Sequence, residues 1–352
     1  MDKISFKISL PIFLFSLACL ANFHAQKTNK VLILGIDGCR VDALEKANTP
    51  NLDSLRSHGI FCSTSWHLGK TKSGPGWSSM LTGVWDPKHR VHDNRFSNHN
   101  FKQHPFFPSY LTKENPAFTS AIIVGWKSLY HISSKFGWGE SHTAKNDDGC
   151  LLKTIEVLQT SNPDVLMIHF DNVDFTGHTS GFEPDNEKYI RAIETVDAQI
   201  GKLLYALKNR PEYLNENWLI LSSTDHGGTG LNHSGNSVAE RKIWWLASSP
   251  SLPVLEITAT DPGSLFYPEL PLKSELPTQY PAIVDITATA LDHLLPGGLD
   301  PKLPLDGKSW LHLNPPQFPE TWGAFTVSEN DNKAIFTGKN LTIQQTIDTR
   351  KK

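Results

Sequence analysis

The chain has 352 residues, 20% of them charged, and a formal net charge of −3 at pH 7. That near-balance excludes a partner held by global charge, such as a nucleic-acid polymer or an anionic membrane surface, so function must reside in local sites. The length allows one large α/β domain or two smaller ones, and 15 histidines beside 10 tryptophans suit an aromatic-lined cleft.

Residues 1–25 have the three parts of a secretory signal peptide: a charged start, an apolar run from Ile8 to Leu20, and small residues up to Ala25. The apolar run is short for a membrane span. A secreted or periplasmic protein is expected, with Cys19 after Ser16-Leu17-Ala18 as a weaker signal for a lipoprotein anchor. Beyond the leader, Cys39, Cys62 and Cys150 are odd in number, which argues against a disulfide scaffold.

Lys30 to Ile36 reads as a buried strand that stops at Asp37-Gly38. Thr49 and Pro50 mark the start of the helix that follows, with Thr49 as its cap. The segment Lys72-Ser73-Gly74-Pro75-Gly76-Trp77 opens another helix. Ser73 there suits either of two roles, a cap or a nucleophile whose alkoxide the helix dipole favours. Residues 84–116 are loop-like and rich in histidine and aromatic residues, some of them expected to wall a cleft. Strands follow at Ala117 to Trp126 and Asp164 to Phe170, with a helix over Asp148 to Gln159 between them. The second of these strands runs into Asp171, Asp174 and His178.

Ile190, Ile193, Val196, Ile200, Leu203 and Leu207 recur at helical spacing, which predicts a long amphipathic helix over 186–207. Trp218 to Ser223 is again strand-like and is followed by Thr224-Asp225-His226-Gly227 and then His233. Lys242 to Ser248 reads as a strand, and the proline-rich 250–281 as a surface segment. Ala282 to Leu295 reads as a helix. In the tail, 316–352, Ala334 to Thr337 and Leu341 to Ile343 suggest a terminal hairpin. A catalytic domain over 26–315 is expected.

Asp37, Ser73, Asp174, His178, Asp225, His226 and His233 thus gather at predicted strand or helix ends, where ligands of α/β sheets bind. Mixed carboxylate and imidazole donors favour zinc, with manganese or iron as alternatives. Seven groups are too many for one tetrahedral ion and suit two, which at roughly 3.5–4 Å apart clamp the attacking and leaving oxygens of an in-line displacement.

The ordered motifs Gly35-Ile36-Asp37-Gly38, Lys72-Ser73-Gly74-Pro75, Asp174-x-x-Gly177-His178 and Thr224-Asp225-His226-Gly227 resemble the alkaline phosphatase superfamily. Within it the chain is most similar to the type I phosphodiesterase/nucleotide pyrophosphatase branch. The resemblance implies a three-layer α/β/α sandwich with a mostly parallel central sheet. It implies that Asp37, Ser73, Asp225 and His226 hold one zinc, and Asp174, His178 and a third histidine the other, with His233 favoured over His293 and His312. Ser73 becomes the nucleophile of an exported hydrolase acting on a small phosphate ester, a diester or pyrophosphate before a monoester. A sulfatase-like hydrolase and a silent metal-binding module are further alternatives.

This chain departs from the branch's pattern in having serine for threonine at 73 and glycine for asparagine at 76. Lys72, Trp77, Asn94, Phe96 and Trp126 are the candidate substrate contacts.

Overall fold

The structure, a computed structural model, describes residues 27–262, 281–312, 326–330, 333–337 and 341–346. The leader-like residues 1–25, Cys19 included, lie outside them. One sheet is built from β1 (Thr28–Ile36), β2 (Gly59–Trp66), β3 (Ser120–Val124), β4 (Glu140–Thr143), β5 (Val165–Phe170) and β6 (Glu216–Ser223). It continues with β7 (Lys242–Ser248), β8 (Leu255–Ala259), β9 (Thr326–Asn330), β10 (Lys333–Thr337) and β11 (Leu341–Thr346). The order is β4-β3-β5-β1-β6-β7-β2-β8-β11-β10-β9. From β4 to β6 all pairings are parallel, whereas β7 runs antiparallel to both of its neighbours.

The apolar character of β1 follows from burial on both faces. Val31 and Ile33 belong to one core, and Leu32, Leu34 and Ile36 to the other, the alternation that a pleated strand imposes. Helices Ser73–Thr82 and Asp285–Leu294 cover the first face through Trp77, Met80, Leu81, Ile286 and Leu291. Helices Asp147–Thr160 and Glu187–Lys208 cover the second through Cys150, Leu151, Ile193, Val196, Ile200 and Leu203. The result is an α/β/α sandwich. All three cysteines of the described residues are buried and unpaired.

The strands β5, β1 and β6 are adjacent, with Gly35 in register with both His169 and Ser223. The chain therefore leaves the sheet side by side at Asp37, Asp171 and Asp225. This is the crevice beyond the carboxyl ends of parallel strands.

Several local expectations need correction. Thr49 precedes helix Pro50–Arg56 but makes no capping bond. The carboxylate of Asp197, from helix Glu187–Lys208, takes the amides of Asn51 (3.2 Å) and Leu52 (2.8 Å) instead. A cap supplied from a distant helix is invisible to local sequence. Asp197→Ala should cost about 1–2 kcal/mol of stability, read as a lower urea midpoint.

The segment 250–281 does not simply cross the surface, because β8 enters the sheet parallel to β2; residues 263–280 lie outside the described residues. In the tail, β9, β10 and β11 form an antiparallel meander, and β11 joins it to the main sheet by pairing with β8. Within 84–116, Phe96, Phe101, Phe106 and Phe107 are buried in the first core, so these aromatics pack rather than wall a cleft.

Candidate metal centre

Asp37 follows β1 and is buried. Its Oδ2 accepts hydrogen bonds from Trp77 Nε1 (2.9 Å) and His169 Nε2 (3.0 Å). Burial opposes its charge, but the His169 hydrogen bond and charge, the nearby His226 and the indole N–H together hold it down at about 2. Asp225 lies across from it, with Oδ1 accepting from the Gly38 amide at 3.1 Å. His226 Nε2 stands 3.2 Å from Asp225 Oδ2 and 3.6 Å from Asp37 Oδ1. Asp37, Asp225 and His226 each offer a ligand atom, all within 4.8 Å of one another.

Ser73 joins this group from the start of helix Ser73–Thr82. Lys72 occupies the cap position and no side chain caps the helix. The Ser73 hydroxyl lies 3.3 Å from His226 Nε2. Capping is therefore not what Ser73 does.

A second group stands beside the first. Asp174 and His178 are one turn apart on helix Asn172–Ser180, and Asp174 Oδ2 lies 3.3 Å from His178 Nε2. His233 Nε2 is 3.1 Å from His178 Nε2 and 3.7 Å from Asp174 Oδ1. Asp174, His226 and His233 likewise offer atoms within 4.8 Å of one another, and the rings of His226 and His233 stack with centroids 3.8 Å apart. The other downstream histidines are elsewhere. His293 Nε2 bonds to the carbonyl of Asn217, at the start of β6 and so at the opposite end of the strands, while His312 lies against Asp292.

The donor set fits a pair of cations. Each of three imidazoles places Nδ1 on a backbone carbonyl, which can only accept: His226 on Gly227 (2.8 Å), His178 on Leu231 (2.8 Å) and His233 on Thr71 (2.7 Å). Their Nε2 atoms are thereby turned into the site, the usual way a metal-binding imidazole is oriented. Burial pushes His226 and His233 down to about 4, so both rings are neutral at pH 7 with a bare Nε2. Asp37 Oδ1, Asp174 Oδ1 and Asp225 Oδ2 are buried with no hydrogen-bond partner. Each such orphan costs about 1–3 kcal/mol or more, and a pair of bound cations would satisfy all three.

Burial, and then the negative charge of Asp37, push Asp225 well above the carboxylate range and raise Asp174 as well. The Asp174 hydrogen bond leads in holding His178 up at about 9.

The candidate substrate contacts divide. Trp77 is 0% exposed and spends its N–H on Asp37, so it has no face for a ligand. Phe96 is also buried, with its ring against Trp126 at 5.6 Å. Both expectations are corrected, since packing against the first core consumes these rings; Trp126 remains half-buried. Asn94 is exposed and its Oδ1 accepts from the Gly74 amide at 2.9 Å, which turns its NH2 away from that amide. Lys72 is half-buried beside Ser73. At position 76 a Cβ would sit 2.9 Å from Asp225 Cβ, so glycine there is required by close approach.

Two contributors escape a reading of the motifs. His169 was legible in principle as a polar residue inside an apolar strand. Thr71 carried no signal, yet its carbonyl anchors His233 and its hydroxyl takes the Ser234 amide (3.1 Å) and donates to Gly235 (3.0 Å).

The chain resembles known proteins in sequence and in fold. The profile of the type I phosphodiesterase / nucleotide pyrophosphatase family matches residues 31–130 and 108–261. The bovine bis(5'-adenosyl)-triphosphatase ENPP4 is 27% identical over 230 residues, covering 60% of this chain and 50% of the relative. Mouse ectonucleotide pyrophosphatase/phosphodiesterase family member 3 is 25% identical over 219 residues, covering 56% and 24%. The chain thus spans half or less of the length of these curated relatives.

Among solved structures, a protein of the alkaline phosphatase superfamily from Vibrio parahaemolyticus aligns with a TM-score of 0.59 at 13% identity, covering 92% of this chain and 78% of the other. A 2-O GAG sulfatase aligns with a TM-score of 0.59 at 14% identity, covering 91% and 85%. At such identity these two speak for the fold alone. With the family profile matched across most of the chain and the fold in agreement, the chain belongs to the type I phosphodiesterase / nucleotide pyrophosphatase family.

Proposed function

We propose that the chain hydrolyses phosphodiesters or pyrophosphates, using Ser73 as nucleophile and two zinc ions. Asp37, Ser73, Asp225 and His226 would hold one ion, and Asp174, His178 and His233 the other. The observation that carries the reading is the Ser73 hydroxyl at a helix start, 3.3 Å from His226 Nε2, in the same space as three buried, unpartnered carboxylate oxygens. When bound, the ions supply positive charge that favours the serine alkoxide and offsets charge on the phosphoryl oxygens.

The chain's own residues do the rest. Ser73 Oγ attacks phosphorus, a serine–phosphorus ester forms, and the bond to the leaving oxygen breaks, the leaving alcohol taking the proton that Ser73 gave up. Water then attacks phosphorus and returns the Ser73 hydroxyl. The Asn94 NH2, oriented by its Oδ1 bond to Gly74, and the Lys72 ammonium are the donors placed to meet phosphoryl oxygens. Trp126 is the aromatic left to contact an organic substituent.

The family supports diesters first and a monoester second. On bis-p-nitrophenyl phosphate and p-nitrophenyl phosphate, the diester should be turned over at the higher kcat/KM; a large monoester preference would reverse the order. Export is part of the proposal and is supported by the leader-like residues 1–25 and by relatives named as ectoenzymes. No helix among the described residues is long and apolar enough to cross a membrane.

A further inference from the structure

Asp37 is gripped on one side only. Oδ2 receives two buried hydrogen bonds, from Trp77 Nε1 at 2.9 Å and His169 Nε2 at 3.0 Å, whereas Oδ1 has no hydrogen-bond partner and faces His226. Neither donor has room to swing away. The His169 ring sits inside β5, fully buried and edge-on to the Trp77 indole with centroids 4.7 Å apart. The indole in turn lies over Gly35, where a Cβ would come within 2.6 Å of its Cη2.

His169 is an expensive residue to place there. The position is buried among Met167, Ile168 and Phe170, and an apolar side chain would serve the sheet better. The imidazole instead leaves Nδ1 buried without a partner, a burden of about 1–3 kcal/mol. What that burden secures is the orientation of Asp37. A carboxylate free on both oxygens can bind an ion through one or both. With two donors already on Oδ2, only Oδ1 keeps its lone pairs for the ion.

We propose that His169, assisted by Trp77, is a positioning residue that makes Asp37 present a single oxygen, Oδ1, to the ion shared with Asp225 and His226, and so fixes that ion's coordination number. The inference rests on the two-ion reading above. Residues that orient metal ligands in this way are worth about 10–100-fold in metal affinity. The role is separate from any contact with substrate, since a fully buried side chain does not reach it.

The test is metal binding by the purified full chain. Ion content and competition with a chelator give stoichiometry and affinity, the visible absorption of the Co2+-loaded protein reports coordination number, and a thermal melt reports folding. His169→Leu should bind the ion at Asp37 about 10–100-fold more weakly and alter the Co2+ bands, with the ion at Asp174 unchanged. His169→Gln should restore both, because its amide donates from near the position of Nε2.

Wild-type affinity and an unchanged Co2+ spectrum in His169→Leu would overturn the proposal, as would a glutamine variant no better than the leucine one. If His169→Leu does not fold, His169→Gln is compared with His169→Asn, whose shorter amide does not reach Oδ2, and equal affinity in that pair overturns it. Wild-type protein holding fewer than two ions defeats the two-ion reading on its own, and the variant comparison still reports on the Asp37 ion.

Discussion

Ser73→Ala should reduce hydrolysis of a phosphodiester by about 10^3-fold or more while leaving the thermal melt within about 0.5 kcal/mol of wild type. The expected split follows from what Ser73 touches. Its hydroxyl makes one long contact, 3.3 Å to His226 Nε2, and caps nothing, so little stability depends on it. Its chemical contribution is not replaceable, because no other hydroxyl among the described residues stands at that helix start. Retention of more than a tenth of wild-type kcat/KM in a metal-replete variant would show that phosphorus is attacked by something else.

Removal of divalent ions should abolish the same activity, and their return should release protons. The sign follows from the metal-free chain. Asp225 stands well above the carboxylate range through burial and the charge of Asp37, Asp174 is raised by the same two causes, and His178 is held at about 9 chiefly by Asp174. His178, held at about 9, must give up its proton before Nε2 can bind a cation, and the upward shifts of Asp225 and Asp174 act in the same sense. His226 and His233, at about 4, have none to give at pH 7. Apparent affinity should therefore rise with pH, by about tenfold per pH unit for each proton displaced. Calorimetry in buffers of different ionisation enthalpy measures the proton count directly. Affinity that is flat between pH 6 and 8 would mean that the ligands are already deprotonated and that the coupling described above is absent.

The sequence was most readable where a residue's neighbours in the chain are also its neighbours in space. The buried strands β1, β5 and β6 declare themselves by apolar runs, interrupted in β5 by His169, and the acids that end them follow directly. Helix Glu187–Lys208 is legible from its periodicity. The strand β2 is not, since Gly-Ile-Phe-Cys-Ser-Thr-Ser-Trp mixes small hydroxyl residues into a buried strand, and β8 is short and follows a proline.

The candidate site divides along the same line. Asp37, Asp174, Asp225 and His226 can be picked out by type and by position at strand or helix ends. Trp77 and Phe96 mislead because an aromatic residue carries no local mark of whether its face is covered. His169 and Thr71 act through long-range contacts, the one across to β1 and the other to a loop more than 150 residues away, and nothing in their immediate sequence announces those contacts.

Gly76 carries a consequence for how this chain can vary. Its backbone approaches Asp225 so closely that any Cβ would intrude on that carboxylate's Cβ at 2.9 Å. A side chain introduced at 76 to meet a substrate would be felt first by the carboxylate. The two positions are therefore epistatic. A single replacement at 76 disturbs the candidate metal centre as well, and a permissive shift around Asp225 must come first.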